Sequence, residues 1–197
     1  MNLALYCVNS RVNVMFVVHL RLIGEAMVNQ VELTKNQTSE LLSSSCSLSD
    51  LIVWLDGLGR RATLEVLEKK LLGLEIEMGD LTKFLGYAED GYQRNIIKKT
   101  EYYELVLICW KPGQKTQIHD HKGSDCAFLI LDGISTESLY EFDGDNLVLS
   151  EVRKYLPGEV CAAGEPEIHQ ISNEEETNLV NLHLYTPPLN NINIYEV

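Results

Sequence analysis

The pattern of hydrophobic and polar residues changes near residue 101, and the two halves of the chain predict different elements. Residues 63–75 carry apolar side chains at helical spacing, mainly on one face: Leu64, Val66, Leu67, Leu71 and Leu74. Ser47 with Asp50 three positions later predicts a helix start before LIVWL, and GDLTKFLGYA predicts a third helix near Asp80. Residues 29–49 are rich in Asn, Gln, Ser and Thr, which predicts a loop or linker. The first half is therefore expected to be helical.

Short β-rich runs separated by turn signals fill the second half of the chain. They are YYELVLICW, CAFLILDG, ESLYEFDGD, NLVLSEVRKYLPGE, VCAAG, IHQISN and LVNLHLYTPP. Gly144 and Asp145 predict a hairpin turn, and a spacing of roughly eight to twelve residues between runs is typical of an all-β sandwich or barrel. The fold is therefore expected to be mainly β, a small β-barrel with a helical N-terminal region packed on it.

Length and composition indicate one domain with a sizeable core. The chain has 197 residues, of which 45% are hydrophobic and 23% charged. We expect a poorly defined N-terminal extension at residues 1–46 and a single domain at residues 47–197, with helices at about 47–90 and the barrel at about 100–197. An apolar run in the first 28 residues is too short to span a bilayer. We expect an extra strand or helix there, or sequence upstream of a start at Met15 or Met27.

The net charge of −13 and the pI near 4.7 narrow the possible partners. They argue against nucleic acid, whose phosphates need clustered Lys and Arg, and against an anionic membrane surface. A small anionic substrate would need a local positive charge inside its site. The five cysteines are odd in number, without dense spacing and without a CxxC pair, so we expect a reducing compartment, the cytoplasm, rather than a disulfide scaffold.

Three histidines of the predicted barrel form a spaced set. His119 and His121 are two apart, so on a strand both side chains point to one face and can chelate a metal. An isolated pair of this kind is also common at a solvent-facing strand end. His169 follows in a second block, and glycines at predicted strand corners bracket both blocks. The arrangement resembles the two-part pattern of the cupins and implies their jelly-roll barrel.

Cys126 stands where the first block of the cupin pattern usually supplies a carboxylate ligand. Three neutral imidazoles then remain as ligands. A dication with three neutral ligands is one unit more positive than one with a carboxylate, which favours an anionic substrate ligand such as a thiolate. Catalytic zinc also accepts three histidines with an open position, so ligand type alone leaves a zinc hydrolase or lyase open.

Several separated motifs make the resemblance more specific. They are YQRN at 92–95, ICW at 108–110, IHDHKGSDC at 118–126 and LHLYTPP at 182–188. With these motifs the chain, from about residue 80 to 197, resembles the cysteine dioxygenases, the thiol-oxidising branch of the cupins. The resemblance implies oxidation of L-cysteine by O₂ to cysteine sulfinic acid, with one Fe(II) per chain held by His119, His121 and His169.

The same resemblance implies roles for residues around the iron. Arg94 would clamp the substrate carboxylate, a charge-assisted contact that also supplies the missing local positive charge, and Tyr92 would add a hydrogen bond. Tyr185 would hydrogen-bond the substrate carboxylate or oxygen at the iron, and His183 would orient its phenol. Family members usually carry a serine two residues before this histidine, where this chain has Asn181. From the residues alone, Arg94 could equally be a surface arginine in an ion pair, and His183 a core histidine.

Cys126 and Tyr185 have a further implied role. In animal members the corresponding pair forms a thioether link, and this chain has both parts. The alternative is a buried free thiol that packs as a small hydrophobe. The family also carries a cis peptide after this tyrosine, for which Thr186-Pro187 is the candidate.

Two other functions stay open at this point. One is a dioxygenase for 3-mercaptopropionate or another small thiol, although glutamine is typical of that group where this chain has Arg94. The other is a non-catalytic metal-binding cupin. In each case we expect a monomer whose partners are a small molecule and, for an enzyme, O₂.

Overall fold

The computed structural model describes residues 4–8, 15–23, 26–165 and 167–197, with side chains from residue 28 onward apart from residue 166. The described residues form four α-helices: α1 (Lys35–Ser44), α2 (Cys46–Asp56), α3 (Leu64–Leu72) and α4 (Met78–Leu81), which a 3₁₀ turn (Thr82–Phe84) continues. The first strands are β1 (Ala4–Val8), β2 (Met15–Ile23), β3 (Ala26–Glu32), β4 (Gln93–Lys99), β5 (Glu104–Trp110), β6 (Ile118–His119) and β7 (Asp125–Asp132). The others are β8 (Ser135–Asp143), β9 (Asn146–Tyr155), β10 (Val160–Ala163), β11 (Ile168–Ser172), β12 (Leu179–Thr186) and β13 (Ile194–Tyr195).

The strands form two sheets. The larger has the order β1-β2-β3-β4-β5-β12-β7-β10, and the smaller has the order β13-β6-β11-β8-β9. Neighbouring strands are antiparallel except β3 and β4, which are parallel. The prediction of a mainly β, cupin-type fold with N-terminal helices is confirmed. Each of the seven predicted β-rich runs overlaps one strand, β5 or one of β7–β12.

The larger sheet buries both of its faces, because its strands alternate two sets of apolar residues. On β5, Leu105 and Leu107 pack with leucines of the helices in one core. Val106 and Ile108 point the other way, into a second core that includes Ile171 of the smaller sheet. A layer of helices, the large sheet and the small sheet therefore stack in that order, and the second core surrounds the site described below.

Two predictions for the first half are wrong. Residues 29–49 are not a loop, because they contain the end of β3 and all of α1. Helix α1 begins with a capping box in which Thr34 and Gln37 satisfy each other's backbone N–H groups. Helix α2 begins at Cys46, capped by Ser45 rather than Ser47, and the Ser47 hydroxyl instead accepts a hydrogen bond from the Glu75 backbone.

The N-terminal segment adds strands to the larger sheet. Strand β3 pairs in parallel with β4, in the register Gln30 to Arg94, so β4 has a neighbour on both sides. Residues 1–3, 9–14 and 24–25 of the predicted extension lie outside the described part of the chain. The division at residue 46 stays a prediction. No helix within the described residues is long and apolar enough to cross a membrane.

Candidate metal centre and substrate pocket

A cavity of about 290 Å³ opens between the two sheets and contains every residue to which the sequence assigns a site role. Its polar lining consists of Asn29, Asp90, Tyr92, Arg94, Lys115, Thr116, Gln117, His119, His121, Cys126, His169, His183 and Tyr185. Its apolar lining consists of Val28, Gly91, Ile108, Trp110, Ile171, Leu189 and Ile192. The motifs that lie far apart in the chain therefore meet at one place.

His119, His121 and His169 bring their ring nitrogens together at one end of this cavity. Their ligand atoms all lie within 4.8 Å of one another, and the Nε2 atoms of His121 and His169 are 3.2 Å apart. His119 pairs in register with His169 across β6 and β11. The expectation that one strand carries both His119 and His121 is wrong, because β6 ends at His119. A turn through Gly123, at a φ of 81° that favours glycine, follows His121.

Hydrogen bonds at the far side of two rings set which nitrogen faces the cavity. The Nδ1 of His119 lies 2.9 Å from the backbone carbonyl of Gln117, and the Nδ1 of His169 lies 2.8 Å from a carboxylate oxygen of Glu137. Because both oxygens can only accept, each Nδ1 carries the proton, and each Nε2 presents its lone pair to the shared point.

Burial favours the neutral form of two of the three histidines. Burial, together with the neighbouring His169, lowers the pKa of His119 to about 3. The same causes lower the pKa of His121 well below its usual value. Three imidazole nitrogens converging on one point form a site that suits a divalent transition-metal ion, so these residues fit the metal that the sequence implied.

Glu137 is a buried residue of the site that the sequence analysis did not identify. It lies on β8, is 0% exposed, and accepts hydrogen bonds from His169, from the thiol of Cys161 and from the hydroxyl of Tyr155. Burial by itself raises the pKa of Glu137. The three donors together lower that pKa by more than burial raises it, so the net shift is downward and the group is a carboxylate. The carboxylate fixes the orientation of the His169 ring and the nitrogen that carries its proton.

Arg94 lies on β4 of the larger sheet, lines the same cavity and is 2% exposed. Burial acts to lower its pKa, but Tyr185, Glu104 and Tyr92 raise it above the ordinary value, so the guanidinium is charged. Its Nη2 donates to Glu104 at 3.1 Å and its Nη1 to the Tyr185 hydroxyl at 3.5 Å. The ring of Tyr92 stacks on Trp110 with centroids 4.4 Å apart, and burial raises the Tyr92 pKa, so its hydroxyl keeps its proton.

Tyr185, His183 and Cys126 form a contact group on β12 and β7. Tyr185 stands opposite Cys126 in the strand register. The Nδ1 of His183 lies 3.1 Å from the Tyr185 hydroxyl and 3.6 Å from the Cys126 sulfur. Burial raises the pKa of both Tyr185 and Cys126 and lowers that of His183, so all three are neutral. Phe128 stacks on the His183 ring at 4.4 Å and holds it in plane.

Asn181 hydrogen-bonds Trp110 rather than His183, the partner that the sequence implied. Its Oδ1 accepts from the indole N–H of Trp110 at 2.8 Å. The Nδ2 of Asn181 and the Nε2 of His183 are buried, and neither has a hydrogen-bond partner among the described residues. Asn181 therefore positions Trp110, and through it the stacked Tyr92, rather than the His183 ring.

The peptide bond between Thr186 and Pro187 is cis, as predicted. Ser124, in the turn that follows His121, donates its hydroxyl to the Pro187 carbonyl at 2.6 Å. This bond ties the end of β12, which carries Tyr185, to the loop that carries a predicted metal ligand.

Comparison with known proteins decides between the families that such a site allows. The family model described as cysteine dioxygenase type I matches residues 36–197. The chain belongs to this family. Cysteine dioxygenase type 1 of Rattus norvegicus is 27% identical over 168 residues, covering 81% of this chain and 84% of that protein. The Homo sapiens protein of the same name is 26% identical over 158 residues, covering 76% of this chain and 79% of that protein. A solved structure of TT1209 from Thermus thermophilus is similar, with 23% identity and a TM-score of 0.48, covering 58% of this chain and 99% of that one.

Membership in the cysteine dioxygenase type I family makes the chain a thiol dioxygenase of this type, an oxidoreductase of a small thiol and O₂. The match begins at residue 36, so β3 lies before it. Val28 and Asn29 of β3 nevertheless line the cavity, and Leu189 and Ile192 line it from the C-terminal side. These four residues belong to no motif, and only the tertiary arrangement identifies them.

Proposed function

We propose that the chain oxidises L-cysteine with O₂ to cysteine sulfinic acid, using one Fe(II) held by His119, His121 and His169. The observation that carries this proposal is a buried, charged Arg94 in the same 290 Å³ cavity as the three histidines. A metal-binding end and a guanidinium end together match a small thiol that also has a carboxylate.

The reaction balances without a further cofactor. The thiol R–SH and O₂ give R–SO₂H: both oxygen atoms enter the product, and the sulfur supplies all four electrons that O₂ accepts. When bound, Fe(II) supplies a coordination position for the thiolate and the redox chemistry with O₂. No external reductant is therefore required.

The protein's own groups would bind and orient the substrate. Arg94 provides the charged donor for the carboxylate, with the protonated hydroxyls of Tyr92 and Tyr185 beside it. His183 holds the Tyr185 hydroxyl at 3.1 Å, which positions that donor. Ile108 and Leu189 give the cavity apolar walls, which exclude water and strengthen the electrostatic contacts inside.

We also propose the thioether between Cys126 and Tyr185. The two residues face each other on β7 and β12, and both contact the Nδ1 of His183. Forming a carbon–sulfur bond removes one hydrogen from the thiol and one from the ring, and O₂ accepts the two electrons and two protons. Intact mass after turnover should be about two hydrogens lower than the sum of the free residues. The variant Cys126→Ser should show no such loss, and an unchanged wild-type mass refutes the link.

One experiment separates the proposed substrate from its rivals. Protein reconstituted anaerobically with Fe(II) is given O₂ and a panel of L-cysteine, 3-mercaptopropionate and cysteamine, with sulfinate and O₂ uptake measured. A higher kcat/KM for L-cysteine supports the proposal, and a preference for 3-mercaptopropionate overturns the substrate. One bound iron without O₂ uptake would indicate the non-catalytic binder. We further expect a cytoplasmic monomer, which light scattering and fractionation check.

A further inference from the structure

Arg94 is held by a buried carboxylate that belongs to no motif. Glu104 is the first residue of β5, is 1% exposed, and accepts from the Nη2 of Arg94 at 3.1 Å. Its other oxygen lies 3.4 Å from the Nζ of Lys99, the last residue of β4. A carboxylate at this depth needs partners for both oxygens, and here each oxygen faces a cation.

The contacts divide the donors of the guanidinium into two groups. Nη2 donates to Glu104, whereas the one described acceptor of Nη1 is the Tyr185 hydroxyl, at the long distance of 3.5 Å. The Nε of Arg94 is buried without a hydrogen-bond partner in the described part of the chain. A buried N–H without an acceptor indicates a place for one, and Arg94 lines the cavity.

The position of the carboxylate leads to the same conclusion. Glu104 lies between the cations Arg94 and Lys99 and contacts the guanidinium at Nη2. It thus fixes the direction in which Arg94 presents its remaining donors, Nη1 and Nε, to an incoming carboxylate. A long, flexible arginine without this contact would lose the fixed direction.

We propose that Glu104 is a positioning residue for Arg94 and thereby determines the preference of the enzyme for thiols that carry a carboxylate. The inference rests on the proposed function, because it assigns the carboxylate of the substrate to Arg94. Glu104 does not line the cavity and acts only through the arginine.

The test compares a thiol with a carboxylate and one without it. The Fe(II)-loaded variants Glu104→Ala and Glu104→Gln are assayed with L-cysteine and with cysteamine, which lacks the carboxylate. We expect Glu104→Ala to raise KM for L-cysteine about tenfold or more, with a smaller change in kcat, and to change kcat/KM for cysteamine less than twofold. Glu104→Gln keeps an acceptor for Arg94 and should show a smaller rise. Glu101→Gln, an exposed acid in the same β4–β5 turn, is the matched control and should behave as wild type.

Two further measurements keep the outcome decisive. In an Arg94→Ala background, Glu104→Ala should add less than a twofold effect, because the residue it positions is absent. Calorimetric binding of both thiols to the Fe(II)-loaded protein without O₂ repeats the comparison independently of turnover. Equal losses for both thiols, or unchanged KM, overturn the proposal. If the wild type binds but does not oxidise L-cysteine, the proposed function fails while the role of Glu104 is still decided by binding.

Discussion

Glu137 offers the sharpest prediction, because it contacts a predicted metal ligand without facing the metal. Its carboxylate accepts three hydrogen bonds, of which the 2.8 Å bond to His169 fixes the ring. In Glu137→Gln one amide oxygen can still accept from His169, while the NH₂ group must donate to Tyr155. In Glu137→Ala the ring loses its acceptor, and the Nδ1–H is left buried without one.

The expected losses follow from these contacts. Loss of a carboxylate behind a ligating histidine weakens metal binding by about 10- to 100-fold, or ~1.4 to 2.7 kcal/mol. Since glutamine keeps part of the contact, we expect about tenfold for Glu137→Gln and about 100-fold for Glu137→Ala. Both values refer to Fe(II) affinity in folded protein, so thermal unfolding of each metal-free variant is measured alongside.

The assay is an anaerobic titration of metal-free protein with Fe(II) against a competing chelator. Glu141→Gln is the matched control, since Glu141 lies on the same strand but is exposed. Affinity of Glu137→Ala within twofold of wild type would refute the reasoning. An equal loss in Glu141→Gln would show that the effect comes from net charge rather than from the hydrogen bond.

Three other predictions test the site more broadly. His169→Ala should bind no iron and form no sulfinate, measured by metal analysis and product assay; stoichiometric iron in this variant contradicts the ligand set. Arg94→Ala should mainly raise KM for L-cysteine, with some loss of kcat from misplaced substrate. The control is Arg60→Ala, which removes an exposed arginine and should leave the kinetics unchanged. Unchanged kinetics in Arg94→Ala refute the clamp. Metal-free protein should lose stability as pH falls below about 6.5. In the folded protein the pKa of His119 is lowered to about 3, and the pKa values of His121 and His183 are also lowered. Below the ordinary histidine pKa the unfolded chain therefore binds more protons than the folded one. Each histidine contributes up to ~1.4 kcal/mol per pH unit, and a urea midpoint that does not change between pH 7 and pH 5 contradicts this.

Much of the barrel could be predicted because its strands carry a strong local signal. Turn residues and β-branched or aromatic runs mark β5 and β7–β12 one by one. The three histidines stand out because they are rare in the chain and lie in spaced motifs. Helix α1 carried a signal that was missed: Thr34 and Gln37 have the spacing of a capping box, but the polar composition of the segment obscured it.

The buried acids could not be assigned from the sequence in the same way. Val106, two residues after Glu104, is buried, and so are Ser135 and Leu139 on either side of Glu137, so alternation places both acids inside. From the sequence, a buried acid with no visible partner suggests that the strand register has been assigned wrongly. The partners that stabilise these acids lie on other strands: Arg94 contacts Glu104, and His169 contacts Glu137. The sequence allowed an extra N-terminal strand but could not place β3 in the cavity wall, because that placement depends on a parallel pairing between strands far apart in the chain.

The pairing of His119 with His169 has a consequence for how the protein is made. Between them the chain forms β7 to β10, so the ligand set is complete only after β11 has been synthesised and has paired with β6. A nascent chain therefore offers iron no complete ligand set until the barrel is nearly closed. Metal capture then follows the pairing of β11 with β6, and the rate at which refolding protein takes up Fe(II) reports that pairing.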